Sequence, residues 1–382
     1  MSATTQSSGV DRQGRNASRI TDLKYRWPAR YRASWAALVV LLVVIVPVTP
    51  RALSGPSVEL VTALAGVLVV AALGQMLVIM VGALDLSVGA IVSVAAGVVV
   101  HYGGENANIP LVIAAAVLVP VLLSLLNGVL ISVLRLNPLI VTLATFGIIT
   151  GAIRLWTGVS LSVTGRAPEA LTSFAQPALG MVSAIFVYAL VIAVLLTLML
   201  GKTRFGQRIA FVGSNRRAAR VLGISVVRTE LGTFALAGLL YGIAGVLLAG
   251  YLGTPDVQSG AVYQLATITV VGIAGAMFGG GPANVASVVS AAVFLQLLDQ
   301  FLALLGLGAG SRVMVQGFVL VLAVGAITMG QYSASGLSRG LRLGGRRSSN
   351  PASDHHDPLP RARADEQAIS TSSLNGDRND ND

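Results

Sequence analysis

The chain of 382 residues contains no cysteine, which excludes disulfides, thiolate metal sites and thiol nucleophiles. Histidine is almost as scarce. His101 stands alone, and His355 and His356 lie beside Asp354 and Asp357 in a polar stretch read as a solvated tail rather than a metal site. No His-Glu-x-x-His pattern occurs, which excludes the zinc-hydrolase helix. Charged residues make up 11% of the chain, against roughly 25% in soluble domains. So little charge cannot cover a soluble surface, so the remaining residues must face lipid or one another.

The charge that is present is localised. Of 42 charged residues, 31 fall within 1–33, 201–230 and 331–382. The net charge of +10 does not indicate nucleic acid, because the basic residues flank apolar runs and lack interleaved aromatics. An apolar core about 30 Å thick needs about 20 helical residues. On that measure ten spans are expected, near 34–50, 57–81, 86–101, 110–134, 138–157, 178–200, 230–252, 262–278, 283–305 and 311–329. The fold class is therefore all-α and polytopic. The third and eighth spans are short, which predicts broken or re-entrant helices there.

The expected organisation is a basic head over 1–33, a membrane domain over 34–329 with an internal polar loop at 201–229, and a tail over 330–382 too poor in apolar residues to fold alone. The first apolar run lacks an A-x-A cleavage site, so it is expected to stay in the membrane. Alternating the loops places 22 of the 26 Lys and Arg residues on one side; Arg51, Arg154, Arg166 and Arg312 fall on the other. Excess positive charge marks the cytoplasmic side, so head, tail and the 201–229 loop are expected there.

Within the spans, the spaced pairs Gly147 and Gly151, Gly238 and Gly242, and Gly275 and Gly279 suggest close helix packing. Gln75, Ser87, Asn127 and Gln300 are polar residues in apolar surroundings and are candidates for a pathway or structural role. Asp85 is placed to cap the following helix, with Ser87 close behind; a solute or ion contact is the alternative. Asp299, beside Gln300, is the carboxylate well inside a span. It either lines a path or bonds to a neighbouring helix, and is expected to supply a hydrogen bond rather than an obligatory charge.

The 201–229 loop carries the run Gly213-Ser214-Asn215-Arg216-Arg217-Ala218-Ala219-Arg220-Val221-Leu222-Gly223-Ile224. Asn215 can act as N-cap, Gly223 as the stop, and Ala218, Val221 and Leu222 as an apolar stripe, predicting a helix of about two turns. Arginines in its first turn oppose the helix dipole, so an acidic partner surface is expected, with anionic lipid the alternative. Gly201-Lys202-Thr203 imitates the end of a phosphate-binding loop, but Leu196 stands where that motif needs glycine. The chain thus shows no nucleotide site of its own.

Several runs resemble the membrane permease subunits of ribose-type ABC importers over about 57–329. Ala72 to Ile79 leading to Leu84-Asp85-Leu86-Ser87-Val88-Gly89 is similar to that family's LGQTLVI and GIDLSVG pattern. Asn127-Gly128 followed by Asn137-Pro138-Leu139-Ile140-Val141-Thr142 is similar to its NG and PPFIVT pattern. Thr203 to Gly206 and Gly213 to Ile224 resemble its ATPase-coupling segment, although Arg217 stands where the family usually has Glu. Tyr263 to Ile268 and Val271 to Ala276 also depart, lacking a Glu and a Gly-Gly-Thr.

The resemblance implies a transport subunit without enzymatic chemistry or cofactor, in a bacterial plasma membrane. It further implies separate ABC ATPase subunits, an extracytoplasmic solute-binding protein and a second permease copy, expected to form a homodimer. A monosaccharide or related polar solute is the expected cargo; nucleosides, branched-chain amino acids or a signalling sugar derivative are alternatives. An ion-coupled carrier is the rival class, and needs titratable groups near mid-membrane and often inverted repeats.

Overall fold

The computed structural model describes residues 29–104, 107–158, 165–175, 177–322 and 325. The chain divides into two units, 1–331 and 332–382, and the described residues all belong to the first. Most of the basic head and the whole tail, with His355 and His356, lie outside them.

Helix α1 (Ala29–Val48) leads through a 3-10 turn (Pro50–Leu53) into α2 (Gly55–Met80), α3 (Val88–Tyr102), α4 (Ile109–Ser132) and α5 (Pro138–Thr157). A short α6 (Glu169–Ser173) and a two-stranded hairpin of β1 (Pro177–Leu179) and β2 (Val182–Ser183) precede α7 (Ala184–Lys202). Then come α8 (Arg204–Ser214), α9 (Arg216–Val221), α10 (Val226–Leu252), α11 (Ala261–Ile273), α12 (Val285–Leu304) and α13 (Ala309–Leu322). Among the described residues seven helices are long and apolar enough to cross a membrane, and α3, α11 and α13 are shorter apolar helices. The fold is polytopic and all-α but for the hairpin.

Several boundaries differ from expectation for local reasons. α1 begins at Ala29, so the basic head contributes its first turn. The sixth span begins at Ala184 rather than near 178, because the Ser183 hydroxyl accepts the N–H of Ile185 and caps α7 after the hairpin. α3 has 15 residues and α11 has 13, about 22 and 20 Å of helix at about 1.5 Å per residue. Both fall short of the apolar thickness, as their sequences suggested.

α2 is apolar on all sides and buried along almost its whole length, as an interior helix must be. It packs against α7, α10, α11 and α12. α10 also runs along α4, and the close approach depends on glycine: a Cβ at Gly238 would strike the Pro120 carbonyl and Ser124, and one at Gly242 would strike Val117. The other two expected pairs behave differently. Gly147 and Gly151 face open space, and Gly275 has φ +83° in the turn after α11, outside any helix.

The connections gather at two ends. At one end the Gly281 N–H donates to the Met80 carbonyl at 2.9 Å and the Tyr31 hydroxyl to the Pro282 carbonyl at 2.9 Å. At the other, the Ala167 N–H donates to the Gly253 carbonyl at 2.8 Å, and Gln300 donates to Ser57 Oγ at 3.0 Å. The first end also holds α8 and α9.

Candidate functional site

The loop between α2 and α3 turns at Gly82, whose φ of +78° favours glycine, and then runs inward to Asp85. Asp85, Ser87, Gln75 and Asn127 are all fully buried. Asp85 Oδ1 accepts the Ser87 N–H at 2.8 Å and the Ser87 hydroxyl at 2.5 Å. The expected capping role is corrected in detail. Ser87 is the N-cap of α3 and makes no side-chain cap bond, while Asp85 holds Ser87 itself rather than the first helical N–H groups.

From Ser87 the polar contacts run outward through neighbouring helices. Asn127 Nδ2 on α4 donates to Ser87 Oγ at 3.0 Å, and Thr145 Oγ1 on α5 donates to Asn127 Oδ1 at 2.6 Å. Gln75 on α2 donates to the Asp85 carbonyl and the Tyr241 hydroxyl, both at 3.1 Å, and accepts the Asp85 N–H at 3.3 Å. Thr142 Oγ1 accepts the Leu86 N–H at 3.0 Å. The structure therefore joins four of the six candidate polar residues into one seam. Thr142, Thr145 and Tyr241 belong to it and were not foreseen.

Asp299 and Gln300 lie elsewhere. Asp299 Oδ2 pairs with Arg312 Nη1 at 2.6 Å, and Gln316 Nε2 donates to Asp299 Oδ1 at 3.2 Å. Both partners stand on the neighbouring helix α13, and one of them is a cation. The pair borders a cavity of about 540 Å³ that is also lined by Gln296, Gln316, Tyr263 and Leu68.

The polar loop folds into two helices meeting at an elbow, where one was expected. Thr203 caps α8 by accepting the Gly206 N–H at 3.1 Å, so the residue that imitated a phosphate-binding motif serves a helix start. Asn215 Oδ1 accepts the N–H groups of Arg217 and Ala218, both at 3.0 Å, as the sequence suggested. Gly223, with φ +74°, ends α9, which spans six residues. Ala219 is buried; Ala218, Val221 and Leu222 are exposed, so among the described residues nothing covers the apolar stripe.

The arginines divide. Arg216 pairs with Glu230 on α10 at 2.8 Å and donates to the Val81 carbonyl at 3.0 Å, so its acidic partner lies in the same chain. Arg217 and Arg220 remain exposed. A Cβ on Gly213 would collide with the Met80 carbonyl and the Gly281 N–H, so α8 rests directly on the end of α2. Among the described residues no cluster of His, Asp and Glu could hold a metal ion.

A bundle of apolar helices with a buried polar seam, and an elbow at one end packed on the seam's loop, makes this chain a polytopic helical membrane protein. The family model described as branched-chain amino acid transport system / permease component matches residues 57–324, and the chain belongs to that family. It is 30% identical over 307 residues to the galactose/methyl galactoside import permease protein MglC of Salmonella typhimurium, covering 76% of this chain and 91% of that one. It is 28% identical over 312 residues to the protein of the same description from Haemophilus influenzae, covering 77% and 93%. It is also 30% identical over 295 residues to the autoinducer 2 import system permease protein LsrC of Enterobacter sp., covering 76% and 84%. No solved structure matches the chain significantly. The chain is thus a multi-pass import permease of the inner membrane.

Proposed function

We propose that this permease forms the path for a monosaccharide or related polar solute, driven by ATP hydrolysed on separate subunits and supplied by an extracytoplasmic binding protein. The observation that carries the reading is the family match over 57–324 in a chain without a nucleotide-binding motif. The energy must then enter through contact. The segment containing Gly213, Asn215, Arg216, Arg217, Ala218, Ala219, Arg220, Leu222 and Gly223 is the contact surface in this reading. Its exposed Val221, Leu222, Arg217 and Arg220 support that role, offering apolar area beside positive charge.

Both termini are cytoplasmic in this reading, and two permease copies enclose the path. The sugar assignment rests on relatives described as importing galactose/methyl galactoside and autoinducer 2. The family description favours a second reading, a branched-chain amino acid. Purification in mild detergent tests the common core: an ATPase with an intact phosphate-binding loop should copurify. Ala218→Asp with Ala219→Asp should abolish that association without reducing membrane insertion. Undiminished association of the double variant would place the contact elsewhere.

A further inference from the structure

Arg216 opens α9, where its charge opposes the helix dipole, so a purely local account of the elbow would omit it. Its side chain instead reaches back across the elbow. One guanidinium nitrogen lies 2.8 Å from Glu230 Oε1 and 3.0 Å from the Val81 carbonyl. Glu230 is 6% exposed, in the first turns of α10, and Arg216 is its ion-pair partner among the described residues. Glu230 Oε1 is buried and makes no hydrogen bond among the described residues, so the contact with the half-exposed Arg216 is an ion pair, and the carboxylate is costly without that cation.

The three contacted elements differ in kind. Arg216 belongs to the exposed elbow, Glu230 to a long membrane helix, and Val81 to the loop that reaches Asp85 four residues later. Beside this contact, Gly213 rests on the Met80 carbonyl, which also accepts the Gly281 N–H at 2.9 Å. Two independent contacts therefore fasten the elbow to the end of α2 and the start of the 81–87 loop.

We infer that Arg216, Glu230 and the Val81 carbonyl form a positioning clamp that makes the elbow and the 81–87 loop move as one body. A displacement of α9 then reaches Asp85, Ser87 and Asn127 through a rigid connection. The clamp rests on the reading of the 213–223 segment as the ATPase contact. Arg216 and Glu230 touch neither nucleotide nor solute; they set where the loop goes when the elbow moves.

The absence of cysteine allows single thiols to report on each end. In nanodiscs holding the permease with its ATPase, the maleimide labelling rates of Leu84→Cys and Leu222→Cys are compared with and without a non-hydrolysed ATP analogue. Both rates should change by about fivefold or more, the lower range of coupling between linked sites. Adding Glu230→Gln or Glu230→Met, neither of which alters the ATPase-contact segment, should preserve the response at 222 and weaken the one at 84, where the seat of Gly213 on Met80 is left in place. Arg216 is half exposed, so neither variant leaves a buried unpaired charge, and lost transmission is separated from lost folding. A response at 84 that is undiminished in both variants, or is missing with the clamp intact while 222 responds, overturns the clamp. Silence at 222 in the otherwise unaltered complex refutes the ATPase-contact reading itself, and the clamp with it.

Discussion

Asp85 Oδ1 holds two donors of Ser87, whereas Oδ2 is buried with no hydrogen-bond partner among the described residues. The seam therefore needs an acceptor at Oδ1 more than a full negative charge. Asp85→Asn should change thermal stability in detergent little, while Asp85→Leu, which strands the Ser87 donors, should cost about 1–3 kcal/mol. Equal losses for the two variants would mean that the charge itself is required. Asp299 is the opposite case, since its oxygen faces a guanidinium at 2.6 Å. Arg312→Met alone should destabilise more than Arg312→Met combined with Asp299→Asn, with an interaction of about 1 kcal/mol in the thermal cycle. Additive losses would show that the pair contributes nothing. Asp85 and Asn127 were visible in the sequence because a polar residue stands out in an apolar run. Thr142 and Thr145 were not, since a threonine in such a run can bond its own helix, as Thr142 does to the Pro138 carbonyl at 2.9 Å. Asp299 was visible as an isolated acid, but its partner lies 13 residues away across a turn.

At the level of elements, the apolar runs and their lengths were readable because membrane thickness imposes them. Asn215 and Gly223 also marked the ends of α9, because caps act on neighbours in the chain. The separate helix α8 was missed: its buried Ile209 and Val212 are spaced by three, but the surrounding arginines masked the period. Glycine spacing was a poor guide, because Gly147 and Gly238 occur in similar patterns yet only Gly238 meets another helix of this chain. The elbow gives a sharp contrast. Gly213→Ala must push apart the Met80 carbonyl and the Gly281 backbone, and should lower stability by about 1–3 kcal/mol. Gly147→Ala meets nothing within 4 Å among the described residues and removes a glycine from inside a helix, so the isolated chain's melting temperature should hold or rise slightly. Equal melting shifts would contradict the close seating of α8 on α2.

For the whole molecule, the partition of 22 of 26 basic residues predicts a cytoplasmic elbow. Impermeant maleimide added to intact cells should label Glu169→Cys, in the exposed α6, and spare Ser214→Cys; strong labelling at 214 would reverse the orientation. Class and membrane character were legible in the sequence because they rest on composition and local runs. The joining of Gln75, Asp85, Ser87 and Asn127 was not, because it depends on which helices become neighbours. In the proposed function, transport through this bundle is powered by ATP hydrolysed on another subunit. Its most direct test is uptake into proteoliposomes holding the permease, its ATPase and its binding protein. Radiolabelled galactose, ribose and leucine are each offered with ATP inside and no ion gradient. Galactose or ribose should accumulate only with ATP and an intact ATPase. Accumulation driven by a proton or sodium gradient through the permease alone would contradict it.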